Sequence, residues 1–151
     1  MPIPVYYHIY SNEEQGFDST NTETLLGLDF VKKTFGKRGI FALDRGFDAS
    51  LFFEYFTKNN LNFVMCCKSN RNVICKSKEV NIQKLANQLE KQYSCITELK
   101  NKKKQKLKFI YVEIELCRIK NKALTLVVIE GLGKKPLMMI TNLKIEFKEL
   151  T

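Results

Sequence analysis

Two aspartates four residues apart are the residues of this sequence best placed for chemistry. Asp44 ends the short apolar run "IFALD" (40–44), and Asp48 follows the trio Arg45-Gly46-Phe47. A carboxylate at the carboxyl end of a buried parallel strand lies where open α/β sheets form ligand sites. Asp44 is therefore either such a site residue or a turn residue that accepts backbone hydrogen bonds. Asp48 is predicted to be structural, as the N-cap of the following helix.

Positive charge is concentrated in the middle of the chain. The 151 residues carry a formal net charge of +9 at pH 7. Residues 66–109 hold 12 basic and 3 acidic side chains, whereas the segments before and after them have net charges of −2 and +2. A polyanion is the partner that such a region favours, and "KNKKKQKLK" (100–108) is either part of that surface or a solvated loop. Arg45 can pair with a neighbouring carboxylate or bind a phosphate.

Composition disfavours several other kinds of site and location. The five cysteines are odd in number and the one histidine, His8, is distant from them, so reduced cysteines without zinc are expected. No apolar run reaches the roughly 18 residues of a membrane-spanning helix, and the first residues lack a signal-peptide pattern. We therefore expect a cytoplasmic protein without a membrane partner.

The elements that position Asp44 alternate between strand and helix. This order predicts an α/β layer in which the last two strands are parallel. The apolar and aromatic patterns place strands over 4–10, 40–44 and 61–67, and helices over 23–35 and 49–59.

The second half of the chain has a different pattern. A helical spacing runs through Ile82, Leu85, Leu89 and Tyr93. Alternating or apolar segments then predict strands over 106–119 and 123–131 and from residue 137 onward. We therefore divide the chain into a region 1–68 and a basic, β-rich region 69–151, and expect the two to form one structural unit.

These segments, taken in order, resemble the bacterial DDE transposases of the insertion-sequence 4 type. "ALDRGFDASLFFEYFTKNNLNFVMCCKSNR" (42–71) resembles the segment around their second catalytic aspartate, and "PVYYHIYS" (4–11) the strand before it. "LTLVVIEGLGKKPLMMITNL" (124–143) resembles the end of their β-rich insertion. The resemblance spans nearly the whole chain, although each motif alone has weak to moderate specificity.

The resemblance implies an RNase H-like mixed sheet flanked by helices and followed by a β-rich insertion. It implies DNA transposition and recombination by phosphodiester cleavage and strand transfer, in which three carboxylates hold two Mg²⁺ or Mn²⁺ ions about 3.5–4 Å apart. Asp44 matches the second carboxylate, so it is the implied catalytic and metal-binding residue. The predicted DNA ligands are Arg45, Lys68, Arg71, Lys102, Lys103 and Lys104.

The sequence departs from that family at two of the three carboxylates. In the family the first Asp lies on a strand before the one that 4–11 resembles, and no Tyr-x-x-Arg-x-x-x-Glu pattern follows the insertion here. We therefore expect a catalytic-domain fragment that is inactive and holds the metal weakly by itself, with complementary transposase segments or a homodimer as partners. The alternative is a non-catalytic nucleic-acid-binding protein that uses residues 66–109, so whether the chain is an enzyme is left open.

Overall fold

The computed structural model describes residues 9, 11, 13, 15–98 and 104–145. The predicted strand at 4–10 and the predicted DNA ligands Lys102 and Lys103 fall outside the described residues, apart from residue 9. The chain divides into two compact units, residues 1–39 and 40–151. The division at residue 68 stays a prediction.

The first unit is built on one helix, α1 (Thr20–Phe35). The helix begins because Ser19 caps it, accepting a hydrogen bond from the Thr22 N–H at 3.1 Å. It ends at Gly36, whose φ of 66° is in the left-handed region and whose N–H donates to the Lys32 carbonyl. The predicted helix is thus confirmed, with a start three residues earlier. Among the described residues, no helix is long and apolar enough to cross a lipid bilayer.

The second unit contains a mixed sheet of eight described strands with two helices, so the predicted α/β class is confirmed. Hydrogen-bonded neighbours follow the order β1-β2-β8-β7-β6-β3-β4, and β5 also pairs with β6. The strands are β1 (Phe41–Leu43), β2 (Phe63–Cys66), β3 (Asn72–Cys75), β4 (Lys78–Asn81), β5 (Tyr93–Glu98), β6 (Lys104–Leu116), β7 (Ile119–Glu130) and β8 (Leu137–Thr141). The helices are α2 (Ser50–Lys58) and α3 (Ile82–Gln88).

β1 and β2 are parallel, as predicted, and α2 connects them. α2 packs on these strands through aromatic rings: the centroid of Phe56 lies 5.2 Å from that of Phe41 and 5.4 Å from that of Phe63. Phe53 meets the same Phe63 ring edge-on at 5.7 Å. All but Phe41 are fully buried. Burying each such side chain stabilises the fold by about 1.5–3 kcal/mol, so this cluster fixes the position of β1.

The antiparallel strands have one buried face and one half-buried face. On the buried face Met65, Ile140 and Leu126 lie directly opposite one another across β2, β8 and β7. Their sequence neighbours, such as Met139 and Val127, point to the other face and remain half-buried. Because the second face is also half-buried, β2, β7 and β8 carry apolar residues on both faces, which is why the sequence shows them as apolar runs.

The segment 69–98 differs from its prediction. A hairpin of β3 and β4 occupies the polar stretch, and its two turn residues, Lys76 and Ser77, have φ of 50° and 62°. α3 ends at Gln88, well before Tyr93. Tyr93 instead lies on β5, where its ring stacks on Tyr111 of β6 at 5.4 Å. The helical spacing that reached Tyr93 was therefore misleading, because a cross-strand aromatic contact determines its place.

Candidate functional site

Asp44 lies directly after the carboxyl end of β1 and is exposed to solvent. It starts a 3-10 turn over Arg45–Phe47, in which its Oδ1 accepts a hydrogen bond from the Gly46 N–H at 2.7 Å. A Cβ at residue 46 would lie 2.9 Å from that oxygen, so glycine lets the turn close on the carboxylate. The turn-residue interpretation of Asp44 is thus confirmed, while its strand-end position also keeps the site interpretation open.

Asp48 has a different role from the one predicted. The N-cap of α2 is Ala49, which makes no side-chain cap, so the prediction that Asp48 caps this helix is wrong. The Asp48 side chain is 2% exposed, and its Oδ2 accepts a hydrogen bond from the Lys68 N–H at 2.6 Å. Its Oδ1 accepts from Arg71 Nε at 2.5 Å. Asp48 therefore ties the turn after β1 to the segment after β2.

Arg71 completes this buried ion pair. Both its Nε and a terminal guanidinium nitrogen lie 2.5 Å from Asp48 Oδ1, and its side chain is 14% exposed. The guanidinium carbon also lies 4.8 Å from the centre of the Phe53 ring. Removing one partner of a buried pair costs about 3–5 kcal/mol, because the other charge is left uncompensated. The structure thus places Arg71 in a packing role, and its predicted role as a DNA ligand stays a prediction.

A polar groove of about 420 Å³ opens beside this ion pair. Its acids are engaged: Asp48 binds Arg71, and Glu79 Oε1 accepts a hydrogen bond from Asn72 Nδ2 at 2.9 Å. Arg118 and Lys68 are its exposed cations. Groups of this kind bind phosphate oxygens through charge-assisted hydrogen bonds. The lining residues are Asp48, Ser50, Lys68, Asn70, Arg71, Asn72, Glu79, Leu116, Cys117, Arg118 and Ile119.

The structure brings some of the predicted DNA ligands together and separates others. Lys68 and Arg71 line the polar groove, and Arg45 is exposed in the turn after Asp44. Lys104 is the first described residue of β6 and does not line the groove. Arg118 was missed, because it reaches the groove only through the pairing of β3 with β6, which no local pattern indicates.

The metal site implied by the resemblance needs three carboxylates. Among the side chains that the structure describes, no three of His, Cys, Asp and Glu come together in a group that could hold a metal ion. Asp44 offers one carboxylate, and that of Asp48 is already bound to Arg71. The described residues therefore do not fit a two-metal site, and no catalytic step is assigned to them.

Cys67, buried directly after β2, is the one described residue with a strongly perturbed pKa. Burial raises the pKa of its thiol far above the ordinary value, and the nearby Asp48 charge raises it further. The thiol donates a weak hydrogen bond to the Met65 carbonyl at 3.5 Å. Since the thiolate is the reactive form, Cys67 is a core residue and not a nucleophile. All five cysteines are free.

No protein-family model matches the chain, and no curated protein matches it with significant similarity. The fold and site thus define an α/β protein with a mixed sheet, a solvent-exposed strand-end carboxylate and a polar groove with exposed cations.

Proposed function

We propose that the chain is the central part of a DDE-type transposase catalytic domain with an RNase H-like fold, and that Asp44 is its second catalytic carboxylate. The observation that supports this is the β1–α2–β2 unit. Two parallel strands are joined by a helix, and an exposed carboxylate directly follows the first of them. The carboxyl ends of parallel strands are where α/β sheets carry their ligand sites.

The Asp48–Arg71 pair supports this assignment as a positioning device. Asp48 joins the turn that carries Asp44 to the segment after β2, because it accepts hydrogen bonds from Arg71 Nε at 2.5 Å and from the Lys68 N–H at 2.6 Å. A catalytic carboxylate must be held in place by groups that are themselves fixed. In this proposal Asp48 and Arg71 fix the turn, while Asp44 itself faces the solvent that DNA would occupy.

In the same proposal the polar groove contacts the DNA backbone. Lys68 and Arg118, the exposed cations of the groove, bind phosphates there. The charge of Asp48 is compensated by Arg71, whereas Glu79 keeps its charge and is hydrogen-bonded by the neutral amide of Asn72. The protein acts in the cytoplasm, a reducing compartment that suits its five free cysteines.

The test is to read the coding DNA on both sides of these codons and to express the longer product that it specifies. We expect an upstream strand ending in Asp and a downstream Tyr-x-x-Arg-x-x-x-Glu pattern. The longer product should nick supercoiled plasmid with Mn²⁺, and Asp44→Asn should abolish nicking. Glu54→Gln, an exposed acid on α2, is the matched control and should leave nicking intact. Flanking DNA without either pattern, or nicking by the Asp44 variant, would contradict the proposal.

The second candidate is a non-catalytic nucleic-acid-binding protein. It is favoured by the lack of a three-ligand group among the described side chains. In that case the chain binds DNA with a strong salt dependence, but no product of the locus nicks plasmid. The plasmid assay on the longer product therefore separates the two candidates.

A further inference from the structure

β5 and β6 form a two-stranded ribbon that continues past the end of β7. β5 pairs with residues 104–109 of β6, whereas the pairing of β7 with β6 begins only at Lys108, opposite Glu130. Residues 104–107 therefore have β5 as their one strand neighbour among the described residues. Along this part of β6 the described strand pairing is with β5 alone, so the two strands continue beyond β7 as a ribbon.

The outer face of this ribbon is a row of lysines. Lys104, Lys106 and Lys108 alternate along β6 and are all exposed, while Gln105 and Leu107 between them are half-buried. Because a strand rises about 3.4 Å per residue, neighbouring lysines of the row lie about 6.8 Å apart. We name this surface the lysine face.

Few other charges are present on the lysine face. The residues opposite the lysines are Ser94, Ile96 and Glu98 on β5 and, across from Lys108, Glu130 on β7, so two acids accompany three cations. The charge of Glu130 is already paired with Lys91 at 2.8 Å. None of the three lysines forms an ion pair with another described residue. Ile96, opposite Lys106, is 71% exposed, so its apolar side chain is accessible to a partner on this face.

The root of the ribbon is packed by stacked aromatic rings. The Tyr93 ring stacks on those of Phe109 and Tyr111, with centroids 5.5 and 5.4 Å away. The chain after β7 also closes on the ribbon, since a Cβ at Gly131 would lie 2.7 Å from the Lys106 carbonyl oxygen. That segment continues with the exposed residues Lys134 and Lys135. A preorganised ribbon loses little conformational entropy when a partner binds.

We propose that the lysine face of the β5–β6 ribbon enters the major groove of duplex DNA. The major groove is about 12 Å wide and admits a two-stranded β-ribbon. The lysines bind phosphates at the groove edges, and Ile96 makes apolar contact with the bases. Taking DNA as the polyanion rests on the proposed function, but the surface itself is separate from Asp44 and from the polar groove.

The first experiment measures binding of the chain to a short fluorescent duplex at several salt concentrations. The Lys104→Gln, Lys106→Gln, Lys108→Gln variant should bind at least tenfold more weakly at moderate salt. Its log–log salt slope should shrink by up to about 2.7, because each phosphate neutralised contributes about −0.9. The matched control changes three exposed lysines elsewhere, Lys33, Lys58 and Lys84, to Gln and should keep the wild-type slope. Equal effects of the two triple variants would overturn the proposal.

A second variant tests the apolar contact. Ile96→Ser should weaken duplex binding about tenfold with an unchanged salt slope, since it removes no charge. Bound protein should also protect guanine N7, a major-groove atom, from methylation. If bound wild-type protein does not protect guanine N7, or if the Ile96 variant binds as tightly as wild type, groove entry is contradicted.

Other polyanions provide the remaining outcomes. Heparin, single-stranded RNA or anionic vesicles that bind as tightly as the duplex at equal salt would overturn the assignment to duplex DNA. Failure here is distinguishable from failure of the proposed function. The ribbon is tested by duplex affinity, whereas Asp44 is tested by nicking with the lysines intact.

Discussion

The turn after β1 and the β5–β6 ribbon use charge in opposite ways. In the turn, the Asp48 side chain is 2% exposed and is paired with Arg71 at 2.5 Å. On the ribbon, the three lysines of the lysine face are exposed and have no described ion-pair partner. Arg71 and these lysines all belong to the basic segment 66–109, so the charge of a segment does not by itself define a binding surface.

The difference follows from desolvation. A buried charge is costly unless it is paired and hydrogen-bonded, and Asp48 meets this requirement with Arg71 and the Lys68 N–H. An exposed lysine has no such cost, and its charge remains available to a partner in solution. Stability should therefore depend on the turn, and binding on the ribbon.

The largest expected effect is on the turn. Asp48→Ala should lower the free energy of unfolding by about 3–5 kcal/mol, because it leaves Arg71 buried without a counter-charge. Urea titration measures this, with Glu54→Ala as the exposed control. The Asp48→Ala, Arg71→Met double variant should lose less than the sum of the two single variants. A loss below about 1 kcal/mol in Asp48→Ala would show that the pair does not support the turn.

Alkaline pH should destabilise the packed region through Cys67. Because burial raises the pKa of this thiol, the folded state keeps its proton while the unfolded chain releases it above a pKa of about 8.5. The contribution of the buried, protonated Cys67 thiol to the free energy of unfolding is fully present below that pH. It decreases by up to about 1.4 kcal/mol for each further pH unit. Unfolding measured from pH 7 to 10 should show a steeper decline for wild type than for Cys67→Ala. Parallel curves would contradict this linkage.

Substitution of Thr57 on α2 should have a smaller and opposite effect on the free energy of unfolding. Its Oγ1 is buried and has no hydrogen-bond partner among the described atoms. Thr57→Val removes this unpaired hydroxyl with little change of shape, so it should be neutral or stabilising by up to about 1 kcal/mol. Thermal unfolding measures the change, and Thr34→Val on α1, whose hydroxyl donates to the Phe30 carbonyl, is the paired control. A clear loss of stability in Thr57→Val would indicate that the hydroxyl has a partner.

The smallest expected effect on stability belongs to the ribbon. The triple Lys→Gln variant of the lysine face should unfold within about 0.5 kcal/mol of wild type, as exposed surface substitutions usually do. Urea titration of the same protein used for DNA binding provides the measurement. A large destabilisation would mean that these lysines contribute to the fold. It would contradict the division in which the turn after β1 supports stability and the ribbon supports binding.

Local patterns were sufficient for the parts of the fold that depend on local burial. The apolar runs predicted β1, β2 and the connecting α2, and hence the position of Asp44 at a strand end. They were sufficient because each element presents its buried side chains at the period of its own secondary structure. The RNase H-like identity and the transposase function remain proposals.

Contacts between distant residues were not predictable in this way. Asp48 and Arg71 are 23 residues apart, and the helix N-cap pattern was a plausible local role for the aspartate. The β3–β4 hairpin was missed because Lys76 and Ser77 occupy its positive-φ turn, where Asn and Gly are the usual signal. In both cases tertiary packing determines a structure that neighbouring residues do not specify.

The close contact between Gly131 and the Lys106 backbone has a consequence for sequence variation. Its φ of 106° and the 2.7 Å approach leave no room for a side chain, whereas a Cβ at Gly133 would have no neighbour within 4 Å. In a library randomised at both positions and selected for folded protein, residue 131 should return almost only glycine, while residue 133 should accept many amino acids. Two glycines in one loop would thus differ greatly in how many amino acids the fold tolerates at their positions.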